Sequence, residues 1–226
     1  MIRRSRLFVL AAAGLVAIGA AVGALAPSEG GAAEGHAGHV HRVTVGVTAK
    51  ELKLRNGMRQ LWEDHITWTR LAIISLTTGS PDTDATVARL LRNQVDIGNA
   101  VKPYYGRAAG VELTRLLKEH ITIAASLIAA AKEGDDQAVA SAQKRWEANA
   151  DEIARFLSRA NPRWKLRDTR SMLRDHLRLT TREAVARLQR NWTADVAAYD
   201  EIHRQALHMA DMLSTGIVAQ FPKRFR

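Results

Sequence analysis

Leu61-Trp62-Glu63-Asp64-His65-Ile66-Thr67-Trp68 reads apolar, apolar, any residue, acid, His, apolar, any residue, apolar. Two later stretches repeat that order: Leu116-Leu117-Lys118-Glu119-His120-Ile121-Thr122-Ile123 and Met172-Leu173-Arg174-Asp175-His176-Leu177-Arg178-Leu179. Their histidines are spaced by 55 and 56 residues. Each repeat holds a His-bearing helix and a return helix, and ends near a proline: Pro103, Pro162 or Pro222. One helical hairpin cannot bury its own apolar face, so three such units must pack together. The sequence therefore predicts an all-α fold, a six-helix bundle built from three repeated αα-hairpins.

Working outward, helical periodicity predicts helices over 49–78, 83–102, 107–133, 135–159, 167–190 and 192–219. The breaks have chemical causes. Gly79-Ser80-Pro81-Asp82 stops the first helix, and Asp82 is expected to cap the second. Pro103-Tyr104-Tyr105-Gly106 stops the second, Gly134-Asp135 the third, Asn161-Pro162 the fourth and Phe221-Pro222 the sixth.

The first residues read as an export signal. Arg3, Arg4 and Arg6 precede an uncharged Ala/Gly-rich run from Leu7 to Ala26, and Gly31-Ala32-Ala33 offers a cleavage site. Residues 1–33 are thus expected to be a signal peptide, with an uncleaved membrane anchor as the alternative. Residues 34–48 form a flexible His-containing linker, and 49–226 the bundle domain. The expected location is secreted or extracytoplasmic.

The chain has no cysteine, which excludes disulfides, thiolate metal sites and a Cys nucleophile. Any metal site must use His, carboxylate or backbone atoms. Helical positions advance by about 100° per residue, which puts four histidines in apolar stripes. His65 lies with Met58, Leu61, Thr69 and Ala72, and His120 with Leu113, Leu116 and Leu127. His176 lies with Met172, Leu179 and Glu183, and His203 with Val196, Leu207 and Ala210. Asn149 sits in a stripe of its own between Trp146 and Ile153.

A buried imidazole needs hydrogen-bond partners or a metal. Three at matching positions suit Zn²⁺ or Cu²⁺, with Asp200 or His203 completing the sphere. The alternative is a structural His repeated by duplication, bonded within its own hairpin. The preceding acids, Asp64, Glu119 and Asp175, point away from their His and are expected in solvent or paired with arginines on a neighbouring helix. The tryptophans at 62, 68, 146, 164 and 192 read as core fillers. The linker offers a second metal reading. Cleavage after Ala33 would leave Glu34-Gly35-His36 at the amino terminus, a nitrogen set for Cu²⁺ or Ni²⁺ with His39 and His41 close by.

Net charge is +10, and its excess is concentrated. Residues 155–190 hold eleven Lys/Arg against three acids. Arg170, Arg174, Arg178 and Arg182 recur every fourth residue on one helix face, a candidate surface for anionic wall polymer or lipid headgroups. Nucleic acid is disfavoured, since no nucleic-acid motif is present. No nucleophile elbow or phosphate loop argues for an enzyme.

Further blocks carry a resemblance: Trp68-Thr69-Arg70, Arg89-Leu90-Leu91-Arg92-Asn93, Asn149-Ala150-Asp151-Glu152-Ile153-Ala154, Tyr199-Asp200-Glu201-Ile202 and Gln220-Phe221-Pro222. With the histidine segments, they resemble a family of exported proteins from Gram-positive bacteria that has no assigned activity. The resemblance implies a secreted helical bundle with His65, His120, His176 and Asp200 at polar core positions. It brings no reaction with it, and His203 stands where that family often carries an acid. The expected function is a non-enzymatic metal- or small-ligand-binding protein of the cell envelope. The alternative is a structural or adhesive envelope protein working through its basic helix face.

Overall fold

The computed structural model describes residues 46–226. The expected signal peptide, most of the linker, and His36, His39 and His41 lie outside the described residues. The described chain is all-helical: α1 (Ala49–Thr78), α2 (Thr83–Glu133), α3 (Asp136–Ala160), α4 (Leu166–Leu188) and α5 (Trp192–Gln220), followed by a 3-10 turn at Pro222–Arg224. No described helix is long and apolar enough to cross a membrane.

Side-chain caps start three of these helices. Thr48 Oγ1 accepts from the Glu51 amide, Asp135 Oδ1 from that of Ala138, and Asn191 Oδ1 from that of Ala194. Each satisfies an amide that the first turn leaves open. Asp82 departs from expectation. It stands at the N-cap of α2 but makes no capping bond, because its carboxylate accepts from Ser75 Oγ at 2.9 Å.

Five helices replace the six expected, because α2 stays helical through Pro103. A straight helix of its 51 residues would span roughly 76 Å. The interruption comes three residues after the proline, at Gly106, whose φ of 84° and ψ of 169° are non-helical. Gly98 and Gly110 meet across this point. A Cβ on Gly98 would lie 2.6 Å from the Gly110 carbonyl oxygen, and one on Gly110 would lie 2.5 Å from that of Gly98. Residues twelve apart cannot touch along a straight helix, so the chain folds back at Gly106.

Each helix packs on its neighbour in sequence, and α5 returns to α1, which closes a ring of helices. The main core runs inside that ring. It holds Met58, Ile66, Ile97, Ile153, Ile202 and Ile217, all at most 2 % exposed. Each such side chain contributes roughly 1.5–3 kcal/mol relative to exposure. The carboxyl-terminal segment closes one end. Phe225 is buried and stacks on Tyr104, its carbonyl accepts from Thr48 Oγ1, and Arg224 donates to the Pro103 carbonyl.

Candidate functional site

His65, His120 and His176 come from α1, α2 and α4 and are 4 %, 5 % and 3 % exposed. They converge. The His65 and His176 ring centroids are 5.8 Å apart, and those of His120 and His176 are 6.2 Å apart.

Each imidazole is held by a carboxamide 29 residues further on. His120 Nδ1 lies 2.9 Å from Asn149 Oδ1, while Asn149 Nδ2 donates to the Leu116 carbonyl. His176 Nδ1 lies 3.1 Å from Gln205 Oε1, while Gln205 Nε2 donates to the Met172 carbonyl. An amide oxygen only accepts, so both rings carry their hydrogen on Nδ1 and keep a lone pair on Nε2. In His120 that lone pair accepts from Trp146 Nε1 at 3.1 Å. Among the described residues, nothing hydrogen-bonds Nε2 of His176.

His65 differs. Gln94 Nε2 faces its Nδ1 at 3.2 Å and also donates to the Leu90 carbonyl. His65 therefore accepts at Nδ1 and carries its hydrogen on Nε2. The bond to the carbonyl one turn before the histidine comes here from Asn93 Nδ2, to Leu61. Gln94 Oε1 is buried without a partner.

Burial holds all three rings neutral. It pushes His65 down to about 3, with further lowering from His176 and His120. It pushes His120 down to about 3, again helped by His176. His176 is lowered by the same burial. A desolvated imidazolium is costly, and a second one nearby compounds the cost.

The other residues expected at a shared site lie elsewhere. Asp200 is exposed, so it is outside this buried layer. His203 is partly exposed on α5 and pairs through Nε2 with Glu63 at 2.7 Å. Its stripe partner Val196 is 53 % exposed while Ala210 is fully buried, so the stripe leaves the core at its amino-terminal end. Among the described residues no three His, Asp or Glu side chains stand as a ready ligand set. A surface groove of about 440 Å³, with Asn149, Glu119, Arg145 and Glu152 in its walls, comes within one side chain of His120.

The basic face is largely neutralised. Arg170 and Arg174 both lie against Asp151, at 3.2 and 3.4 Å. Arg178 pairs with Asp175 and Arg182 with Glu201. Of the acids preceding the histidines, Asp64 pairs with Arg89 on a neighbouring helix as expected, whereas Glu119 and Asp175 pair within their own helices, with Arg115 and Arg178. Trp192 is 52 % exposed and lies under Arg187, so it is not a core filler.

One cluster escaped sequence reasoning. Arg70 donates to Glu183 at 2.7 Å and to Asp195 at 2.8 and 3.0 Å, and Arg187 donates to Asp195 at 3.1 Å. Glu183 and Asp195 are 0 % and 1 % exposed. Burial pushes the Glu183 carboxyl up to about 7 against the pull of Arg70, and its Oε2 has no partner. The sequence signal was Glu183 on the His176 stripe, an acid where an apolar residue belongs.

Comparison with protein-family models, with curated proteins and with solved structures finds no match for this chain.

Proposed function

We propose that this chain is a non-enzymatic metal-binding bundle of the cell envelope, with His65, His120 and His176 as the nitrogen donors for Zn²⁺ or Cu²⁺. One observation carries this reading: two neutral, buried imidazoles approach a third, and two of the three have the Nδ1 hydrogen fixed by an amide oxygen. Outer hydrogen bonds of that kind orient metal-ligating histidines and present the opposite nitrogen to the ion. Two imidazoles on one tetrahedral ion, with nitrogen bonds near 2.0–2.1 Å, bring ring centroids to about 5 Å. The rings therefore close by roughly 1 Å on binding. Trp146 releases the lone pair of His120. The hydrogen of His65 moves to Nδ1, and Gln94 Nε2, which now donates to the Leu90 carbonyl and to Asn93 Oδ1, must draw back from that ring.

The bundle is read here as three αα-hairpins, with α2 counted as two helices hinged at Gly106. The constant 29-residue offset from each histidine to its carboxamide supports that reading. Export, and kinship with secreted bundle proteins of Gram-positive bacteria, rest on the amino-terminal sequence and the segments quoted above. Adhesion through Arg170, Arg174, Arg178 and Arg182 is the weaker alternative, because each already has a carboxylate partner.

The test is Zn²⁺ and Cu²⁺ titration of the mature protein beside His65→Ala/His120→Ala. Saturable binding at one equivalent, lost in the variant, is the expected result. No binding, with an unchanged melting temperature at excess metal, would leave the histidines a structural role only.

A further inference from the structure

Met58, Met172 and Met209 line one cavity in the core, and Trp62 and Trp164 form part of its wall. Its volume is about 30 Å³. Organic ligands occupy pockets of roughly 300–1,000 Å³, so this space admits only a water-sized or ion-sized body. Its lining side chains are all Met, Trp, Leu, Ile or Val. The only polar side-chain atoms in that wall are the indole Nε1 groups of Trp62 and Trp164, buried without partners, and these donate but cannot accept. The described residues contain four methionines, and three of them meet here.

Thioether sulfur is the one metal-donor atom type these walls possess. It is soft and uncharged, and soft thioethers select monovalent copper over the harder divalent ions. A single charge is also cheaper to desolvate in an apolar core than a double one.

We propose that Met58, Met172 and Met209 form a binding site for a soft monovalent metal ion, Cu(I), for which Ag(I) is the redox-inert probe. The site lies one helical turn from the imidazole layer. Met172 is four residues before His176, and its carbonyl holds the Gln205 amide that orients His176. Trp62, four residues after Met58, meets the His65 ring edge-on at 5.3 Å. The site needs no metal on the histidines, so it stands or falls independently of the imidazole reading.

The test is Ag(I) titration of protein carrying ¹³C-methyl methionine. The methyl signals of Met58, Met172 and Met209 shift and saturate at one equivalent. Met212, partly buried and outside the cavity wall, stays in place as the internal control. Met58→Leu/Met172→Leu/Met209→Leu conserves volume, a class of core change that proteins tolerate well, and it abolishes the rise in melting temperature caused by Ag(I). His65→Gln/His176→Gln leaves the methyl shifts intact. Unmoved methyls, or all four drifting together without saturation, overturn the proposal even if the triple variant fails to fold. Ag(I) bound with still methyls, and lost in the His variant, overturns it while sparing the imidazole site. Saturable methyl shifts in a protein that binds neither Zn²⁺ nor Cu²⁺ would support the thioether site alone.

Discussion

Trp146 Nε1 donates to His120 Nε2 at 3.1 Å, from α3 to α2, and so occupies the nitrogen that a metal would need. The indole and an ion compete for one lone pair. Trp146→Phe removes the competitor while keeping an aromatic ring in place. The cost to stability is about 1–3 kcal/mol, for the lost bond and the imidazole acceptor left unpaired. Affinity for Zn²⁺ rises in the same variant, as a chelator-competition titration would read. Weaker Zn²⁺ binding would mean that His120 is not a ligand.

The three imidazoles also set a pH dependence. In the unfolded chain each takes up a proton near 6.5. In the folded chain His65 and His120 resist protonation down to about 3, and His176 is lowered in the same direction. Between those values the unfolded state binds more protons, so stability falls as pH falls. Denaturant midpoints should drop steadily from pH 6.5 towards pH 4. His65→Gln/His120→Gln flattens that slope. A flat profile in the parent protein would show that water reaches the rings.

Asn149 and Gln205 each do two jobs, accepting from an imidazole and donating to a carbonyl one turn before it. Asn149→Leu leaves the His120 Nδ1 hydrogen and the Leu116 carbonyl unpaired in the core. Two orphaned buried groups cost about 2–5 kcal/mol. Gln205→Leu costs less, because Gln205 is only partly buried and water reaches part of the gap. Thermal unfolding of the two variants should give that order. The reverse order would mean that the α4–α5 pair, rather than the α2–α3 pair, anchors the layer.

Much of this was legible in the residues themselves. The tripled His segment placed His65, His120 and His176 together because helical periodicity fixes which face a residue joins. The carboxamides were legible too, at a constant 29 residues from each histidine, but a spacing gains meaning only once the return helix is aligned. His203 and Asp200 misled because the amino-terminal part of α5 exposes Val196, so apolar spacing there does not mark the core. The Arg70–Glu183–Asp195–Arg187 cluster brings Arg70 of α1 to α4 and α5, far away in sequence, and no local pattern reports such a meeting. The break at Gly106 rather than Pro103 has a simple cause. A proline costs one amide near a helix end, whereas a φ of 84° ends helical geometry outright.

Arg70 gives that cluster its own pH signature. Its guanidinium partners both Glu183 and Asp195, and its pull lowers a carboxyl that burial has raised. Arg70→Met leaves two buried acids with Arg187 alone. Removing one partner from a buried ion pair costs about 3–5 kcal/mol. In the variant Glu183 titrates higher still, so at pH 5 it is protonated without cost, while at pH 8 it must either hold a proton that the unfolded chain releases or ionise without Arg70. The loss of stability should therefore be larger at pH 8 than at pH 5. An equal loss at both would assign the effect to Asp195 and to the stacking of Arg70 on Tyr199.

The fold-back of α2 rests on Gly98 and Gly110 together with Gly106. A Cβ on Gly98 would lie 1.9 Å from Thr114 Oγ1 and 2.6 Å from the Gly110 carbonyl oxygen. The hydroxyl can rotate away, but the carbonyl belongs to the opposing backbone and cannot. Gly98→Ala must push the two limbs of α2 apart and shift the Leu113–Leu117 face that carries His120 one turn further on. Overpacking of this kind costs about 1–3 kcal/mol. Gly106→Ala meets no atom within 4 Å, so its cost is conformational alone, about 1–3 kcal/mol for a φ and ψ that essentially only glycine adopts. The two variants should differ in kind. Gly98→Ala lowers both the melting temperature and Zn²⁺ affinity, whereas Gly106→Ala lowers the melting temperature and leaves affinity near that of the parent. If Gly98→Ala were as stable as the parent, the close approach of the two limbs would be wrong, and the hairpin reading of α2 would go with it.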